Sequence, residues 1–536
     1  MRHYRGMASR PAATYNSVMN QRDRWVAIGL AAGVALATLL PTWIAHQMAP
    51  PDHTFAGFLL NPIDGFSYLA KMRQGFNGGW QFHLPYAAQP GAGAFLFPYY
   101  LLLGHIARFF GAELIVILHA ARVTAAALMF VAIYRFLEEF VAERGERWFA
   151  FALCLVGAGW GWMGIAFGFV ASDLSIPEST PFLSAYANAH FPLAAAAFMG
   201  AAVGVLGGHA GKPRWVLIAV ICGAGLALVL PFVLLPAIAA MLAGIVALAL
   251  QERRAGAPTS VRRRLIALGA FLLGAAPWAA YDLWLLRTRS DLAAWNAQNQ
   301  TPSPSPGAYL LGFAPLLLLA AVAVLADRRL KRTQPILLAW AIIQSILLYA
   351  PLALQRRLSL GLFIPLAALA AIGLSIAARR GAWRRPLATL VLASVIPTNL
   401  IVIAAGLGGV LRAEPLLVQS SDEACALQWL AENAAPDSLV LAGETVGNRI
   451  PAFADARVVY GHPFETPNAL AEQALIVSLF AATTDLDAAK AVLEARGVDF
   501  VYFGPEEQAL GPASWPSQLP TAVVCGRVTL ASVPAP

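Results

Sequence analysis

Apolar runs long enough to cross about 30 Å of hydrocarbon recur along most of the chain. They fall near residues 25–48, 113–136, 148–170, 190–208, 215–230, 232–250, 265–286, 308–326, 334–351, 358–378 and 386–411. The stretch 215–250 is too long for one span. Pro231 lies in its middle and removes a helix hydrogen bond, which predicts two helices there. A shorter run at 95–110, FLFPYYLLLGHIARFF, is interrupted by Pro98 and rich in aromatic residues. After Arg412 the pattern changes, and residues 418–536 alternate helix with short buried strand. The spacing predicts helices at 422–434, 467–481 and 486–496, strands at 438–442, 457–460 and 499–503, and a terminal hairpin around Gly526. That alternation implies a small α/β sandwich with a mainly parallel sheet. Gly443, Gly461 and Gly504 each follow a strand and read as turn glycines, at positions where ligands of open α/β sheets tend to bind.

Composition places the apolar runs in a membrane. Hydrophobic residues make up 59% of the 536 and charged residues 12%, against roughly 25% charged in a soluble domain. The mean hydropathy is +0.63. The formal charge of +8 is not a nucleic-acid signature. Its basic residues sit in short clusters between apolar runs, and none is interleaved with aromatics as a nucleic-acid channel requires. If 95–110 lies on the membrane surface and the N-terminus is inside, the inner segments hold 22 basic residues and the outer loops seven. Counting 95–110 as a span inverts every later loop and destroys that asymmetry. The positive-inside rule therefore predicts about 11 transmembrane helices, an inner N-terminal segment at 1–24 and a C-terminal domain outside. The membrane part covers 25–412, with an outer loop at 49–112 carrying two interfacial helices. The first span has Trp43, His46 and Gln47 where a signal-cleavage site would need small residues, so it is expected to be retained.

Four cysteines add little chemistry. Cys154 and Cys222 lie inside apolar runs. Cys425 and Cys525 both fall in the tail, where an oxidising compartment would allow them to pair. No CxxC, zinc pattern, HExxH, GxGxxG or P-loop occurs.

Polar residues near the outer face are the informative ones, because the membrane makes them costly. Asp64 opens the segment NPIDGFSYLAKMRQGFNGGW after the first span, with Phe66, Leu69, Ala70, Arg73 and Phe76 at helical spacing. This predicts an interfacial amphipathic helix. Asp64 then either caps the helix or presents a carboxylate that accepts a proton or binds a metal. Tyr68, Lys71 and Arg73 on the same helix are candidates for substrate contact. The second outer loop, 171–190, supplies Asp173 and Glu178, with His190 where the next span begins. Both carboxylates stand near the outer face. The equally plain reading of Asp173 and Glu178 is solvated loop acids. Arg356 and Arg357 stand together in a short outer loop, against the local charge bias. A guanidinium pair suits a lipid-linked phosphate, or simple headgroup contact by snorkelling.

The order of features resembles the GT-C superfamily, polytopic glycosyltransferases that use polyprenyl-phosphate sugars, such as protein O-mannosyltransferases and aminoarabinose transferases. The resemblance rests on Asp64, Phe66 and Tyr68, then Gly78-Gly79-Trp80, then FPYYLLLGHIARFFG at 97–111 and Arg122, and it covers roughly residues 25–136. The chain departs from the pattern at Gly65, where many members carry a second acid, and at Gln89-Pro90-Gly91, where a Lys-Pro-Pro is usual. The resemblance implies a GT-C-like fold and sugar transfer from a polyprenyl-phosphate donor to a glycan, lipid or protein acceptor, in a cytoplasmic membrane and on its outer face. It implies Asp64 as the catalytic carboxylate and a second carboxylate in the 171–190 loop, so that Asp64 with Asp173 or Glu178 could hold a divalent ion, for which oxygen ligands suit magnesium or manganese. Membrane-protein partners fit the outer domain, and nucleic acid does not. Two other readings remain: an inactive scaffold or assembly subunit on the same core, favoured by Gly65, and a lipid or polysaccharide transporter.

Overall fold

The computed structural model describes residues 21–327, 330, 334–378 and 383–534. Residues 1–20 of the inner segment and the basic residues Arg328, Arg329, Lys331, Arg332, Arg379 and Arg380 lie outside the described residues. The chain divides into two compact units. One comprises residues up to Leu39, Arg122–Asp282 and Thr301–Val402. The other comprises Leu40–Ala121, Leu283–Gln300 and Ile403–Pro536.

Among the described residues, five helices are long and apolar enough to cross a membrane: Gln21–Met48, Leu114–Phe140, Pro231–Arg254, Val261–Thr288 and Arg384–Leu411. A sixth is counted if Pro306–Gly312 and Ala314–Ala326, bent by 80°, form one span. Shorter apolar helices run over His190–Leu206, Pro213–Val229, Pro335–Leu347 and Phe363–Ala377. The chain is thus a multi-pass membrane protein, and the helices that pass this test among the described residues do not establish the count of 11 read from hydropathy. The break at Pro231 falls where expected, between Pro213–Val229 and Leu234–Arg254.

The expected span 148–170 is not one helix. Arg144–Val156 has 13 residues, or about 20 Å at 1.5 Å per residue. It stops because Gly157–Gly161 turns under side chains from elsewhere in the first unit. A Cβ on Gly159 would lie 1.9 Å from the Gly312 carbonyl oxygen. The Asn399 amide donates to the Val156 carbonyl at 2.9 Å and the Thr398 hydroxyl to Gly159 at 3.2 Å. Carbonyls orphaned at the helix end are thereby satisfied without water.

In the second unit the helix that carries Asp64 runs Pro62–Phe76. Pro62 at its start is pre-set for helical φ and loses no needed N–H. The cap is Asn61, at φ 51° with no side-chain cap bond, so Asp64 is not the capping residue but lies one turn inside. Its charge favours the positive end of the helix. The 95–110 run forms helix Pro98–Phe110. The two helices cross at glycines, where a Cβ on Gly75 would meet the Leu101 carbonyl at 2.1 Å and one on Gly104 the Met72 carbonyl at 2.0 Å.

The C-terminal residues build a five-stranded sheet. We number the strands β1 His53–Phe55, β2 Val418–Ser420, β3 Ser438–Leu441, β4 Ala456–Val458, β5 Phe500–Phe503, β6 Thr521–Cys525 and β7 Val528–Ser532. The sheet order is β4-β3-β5-β7-β6, and β1 pairs separately and antiparallel with β2. Strands β4, β3 and β5 are parallel as expected, while the terminal hairpin adds β7 and β6 antiparallel. Successive residues enter opposite cores, Val440 and Tyr502 one and Leu439, Leu441 and Val501 the other, as the period of two dictates. Helix Glu444–Phe453, which the sequence reading lacked, follows Gly443 directly.

Cys425 and Cys525 form a disulfide across 100 residues. Closing a loop of that length is worth about 4–5 kcal/mol in the chain-entropy model. Reduction, or serine at both positions, should lower stability by about 2–5 kcal/mol, read as the thermal midpoint of the detergent-solubilised protein. Burial, reinforced by Glu506, raises the Glu507 carboxyl from its ordinary 4.5 to about 7 against hydrogen bonds from the Gly443 and Gly504 N–H groups. The folded chain therefore holds a proton that the unfolded chain has lost between those two values, so stability declines as pH rises through this window. Glu507→Gln should flatten the pH 5-to-7 slope of the thermal midpoint, and an unchanged slope would remove the assignment.

Candidate functional site

Helix Pro62–Phe76 places Asp64, Ser67, Tyr68 and Lys71 three or four residues apart, on one face. Against that face, within the same unit, lies the loop Gly461–Thr466 that leaves β4. The loop is tied to itself. The Thr466 hydroxyl accepts from the His462 N–H at 3.2 Å, and the Thr466 N–H donates to the His462 carbonyl at 2.9 Å. Gly461 is required, since a Cβ there would lie 2.4 Å from the Gly447 carbonyl carbon.

This loop delivers two side chains to the helix. Glu465 receives Lys71 Nζ at 2.8 Å on both oxygens and the Ser67 hydroxyl at 2.6 Å. The Lys71 side chain is fully buried, with its ammonium 4.5 Å from the centre of the Phe97 ring. Burial opposes ionisation of Glu465, but Lys71, His462 and Ser67 together outweigh it and hold the carboxyl below the usual range.

His462 is 1% exposed and presents Nε2 to Asp64 Oδ1 at 3.4 Å. Its Nδ1 accepts the N–H groups of Phe464 at 3.1 Å and Glu465 at 3.2 Å. With Nδ1 used as an acceptor, a neutral ring carries its proton on Nε2, which lies within ion-pair distance of the carboxylate but makes no hydrogen bond to it. Asp64 itself keeps 45% side-chain exposure, so it is reachable from solvent. Tyr68 stacks on Tyr100 at 4.6 Å. The Tyr86 hydroxyl donates to Asn448, whose amide in turn donates to the Ile63 carbonyl at the start of the Asp64 helix. Burial pushes the phenols of Tyr86 and Tyr100 above their ordinary range, with Glu465 and Asp64 adding to it.

Gly65 has a steric reason. A Cβ there would fall 2.6 Å from the Phe58 ring, which packs edge-on against Phe66. A second acid at this position has no room while Phe58 stays in place.

The other candidates take several settings. Lys71 is paired as above. Arg73 donates from Nε and Nη2 to the Ala452 carbonyl and lies over Phe76. Both face protein partners. The remaining candidates belong to the first unit. Asp173 Oδ2 accepts the N–H groups of Gly159 at 2.8 Å and Gly161 at 3.2 Å, serving the turn that ends helix Arg144–Val156. Burial raises its carboxyl to about 6 against those hydrogen bonds. Glu178 and His190 are buried, the latter 4.3 Å from the Phe191 ring. Arg122 donates to Thr38 and to the carbonyls of Ala185 and Tyr186. Arg356 and Arg357 share the short turn Gln355–Ser359. Gln344 fixes that turn by donating to the Leu358 and Leu360 carbonyls at 2.8 and 2.7 Å. Among the described residues neither arginine has a carboxylate within ion-pair distance, and Arg357 lies over the Phe232 ring. Among the described residues no three of His, Cys, Asp or Glu gather as a metal site. Asp173 commits its Oδ2 to backbone, while its buried Oδ1 has no hydrogen-bond partner among the described residues.

No family model matches the chain, and no curated protein matches its sequence. Solved structures do match. ArnT from Cupriavidus metallidurans aligns at TM-score 0.55 and 14% identity, over 95% of this chain and 99% of that one. The Archaeoglobus fulgidus oligosaccharyltransferase aligns at 0.54 and 16%, over 90% and 69%. The arabinofuranosyltransferase AftD from Mycobacteria aligns at 0.53 and 14%, over 94% and 40%. ArnT has also been solved with undecaprenyl phosphate, and the Archaeoglobus enzyme with dolichol-phosphate and with zinc and sulfate. All three are GT-C glycosyltransferases, and this chain has the GT-C fold.

Glu465→Gln or Lys71→Met leaves a buried charge without its counterion, which costs about 3–5 kcal/mol. The double variant Lys71→Met/Glu465→Leu should recover most of that loss in urea unfolding. Additive losses in the double variant would show that the two residues act separately.

Proposed function

We propose that this chain is a glycosyltransferase that moves a sugar from a polyprenyl-phosphate donor to an acceptor on the extracytoplasmic side of a membrane. The observation that carries the reading is the pairing of an exposed Asp64 carboxylate with a buried His462 held in one tautomer. A carboxylate that is fixed yet open to solvent suits a general base. The GT-C fold, and the polyprenyl phosphates bound by two proteins of that fold, support the donor class. The Cys425–Cys525 disulfide fits an oxidising compartment for the C-terminal sheet.

In this reading the acceptor hydroxyl attacks the anomeric carbon and passes its proton to Asp64. The bond from that carbon to the phosphate oxygen breaks, and polyprenyl phosphate leaves with the electron pair. Attack opposite the leaving group inverts the anomeric centre. Arg356 and Arg357, which belong to the first unit, are a candidate pair for a lipid-linked phosphate in their own right, because paired guanidinium groups offer bidentate recognition. A divalent ion such as magnesium or manganese, taking Asp64 as an oxygen ligand, would supply further charge neutralisation. His462 is a positioning residue that keeps Asp64 aimed.

Asp64→Asn should lower transfer by about 10²–10⁴-fold, measured as release of polyprenyl phosphate from synthetic polyprenyl-phosphate sugars in nanodiscs supplied with a membrane glycan extract. His462→Ala should lower kcat with little change in donor KM, since it acts through Asp64. A fully active Asp64→Asn protein would end the proposal and leave the scaffold reading.

A further inference from the structure

The Asp64 helix opens at its far end on a second feature. A cavity of about 550 Å³ lies there, within the second unit, and one wall is the indole of Trp80. Trp80 is 49% exposed, a large apolar surface left open in an otherwise polar setting. It is not loose. His105 stacks on it with ring centroids 4.0 Å apart, and His105 Nε2 lies 3.1 Å from the Gly79 carbonyl oxygen. Two further lining residues are pinned as well. The Gln74 side chain accepts from the His83 N–H and donates to the His83 carbonyl, both at 2.9 Å. The chain enters the site through Gly78, at φ +101°, where a Cβ would also meet the Arg108 guanidinium at 2.7 Å. The cavity is thus built before any ligand arrives, which lowers the ordering cost of binding.

Its chemistry narrows the ligand. Beyond Trp80, the lining residues are Gln74, Asn77, Gly79, Gln81, His83 and Asp455. A lipid chain finds one aromatic face and no apolar groove. A phosphate meets a carboxylate and no lysine or arginine among the lining residues. The set suits a neutral ring with an apolar C–H face and a rim of hydroxyls. That face lies on the indole, while the amides and the carboxylate take the hydroxyls.

We propose that this cavity is a saccharide-binding subsite, and that it holds a sugar unit of the acceptor. At 1.5 Å per residue, roughly 20 Å of helix axis separates Asn77 from Asp64. One rigid helix therefore sets the distance between the bound unit and the reacting end, and the matching acceptor is an extended glycan of several sugars. The role as acceptor subsite rests on the glycosyl-transfer reading, but the binding itself does not.

The test is saturation-transfer NMR on the full-length protein in nanodiscs, with neutral trisaccharides of glucose, mannose and N-acetylglucosamine as probes. At least one should show ring-proton saturation. The signal should fall at least tenfold in Trp80→Ala and severalfold in Gln81→Ala, an exposed position that leaves the fold intact. Asp64→Asn should bind as the parent does, so a failure of catalysis and a failure of binding are read separately. No saturation from any probe, or equal saturation in both cavity variants, would overturn the proposal. So would poor nanodisc incorporation of Trp80→Ala without any sugar binding by the parent, which would mark Trp80 as an interfacial anchor.

Discussion

The geometry around Asp64 depends on one buried ion pair, Lys71 with Glu465. An ammonium with no solvent exposure would be intolerable alone. Here both Glu465 oxygens, the Ser67 hydroxyl and the Phe97 ring surround it. The pair fastens the loop Gly461–Thr466 to the helix Pro62–Phe76. His462 stands three residues before Glu465 on that loop, and Asp64 stands seven before Lys71 on the helix. Fixing the second member of each couple fixes the first, so the ion pair sets the approach of His462 Nε2 to Asp64. Such a pair is weak evidence for stability and better evidence for register.

Close backbone approach is the second constraint. Gly75 and Gly104 let the two outer-loop helices touch, and Gly447 with Gly461 lets the helix after β3 touch the loop that carries His462. In each place the glycine is needed because a Cβ has no volume to occupy. Gly65 belongs with these. As a sequence letter it looked like the loss of a catalytic acid. Beside Phe58 it is a packing requirement, so it no longer weighs against activity on its own.

Much of this was legible from local pattern. Pro231 announced its break, the period of two announced β3 and β5, and the aromatic run with Pro98 announced a short helix rather than a full span. Asp64 was legible because a lone acid beside apolar helix positions is conspicuous. Its partner was not. His462 and Glu465 lie almost four hundred residues away, in a loop with no periodicity, and only the fold makes them neighbours. The available signal was Gly461, a glycine closing a strand with a histidine directly after it. The break in 148–170 was hidden for a similar reason. GAGWGWMG reads as a smooth apolar stretch, whereas Asn399 and Thr398 catch the carbonyls that permit the chain to turn. The role of Asp173 was illegible too, because its hydrogen bonds go to backbone N–H groups that no side-chain pattern reveals.

On the glycosyl-transfer reading, the Asp64 helix and the sheet of the second unit contribute different things to one chemistry. Glycosyl transfer from a lipid carrier needs a base that stays put while a mobile acceptor arrives, because misalignment by about 1 Å can cost about 10²-fold. An interfacial helix alone is a poor mount, since its exposed face is free to rock. Here the Asp64 helix is held on two sides within its unit, by Pro98–Phe110 through the glycine crossing and by Gly461–Thr466 through the Lys71–Glu465 pair. The buried His462 ring then stands 3.4 Å from the carboxylate, which stays open to solvent. On the glycosyl-transfer reading, the C-terminal sheet is therefore part of the site: it carries the loop that holds the base in place.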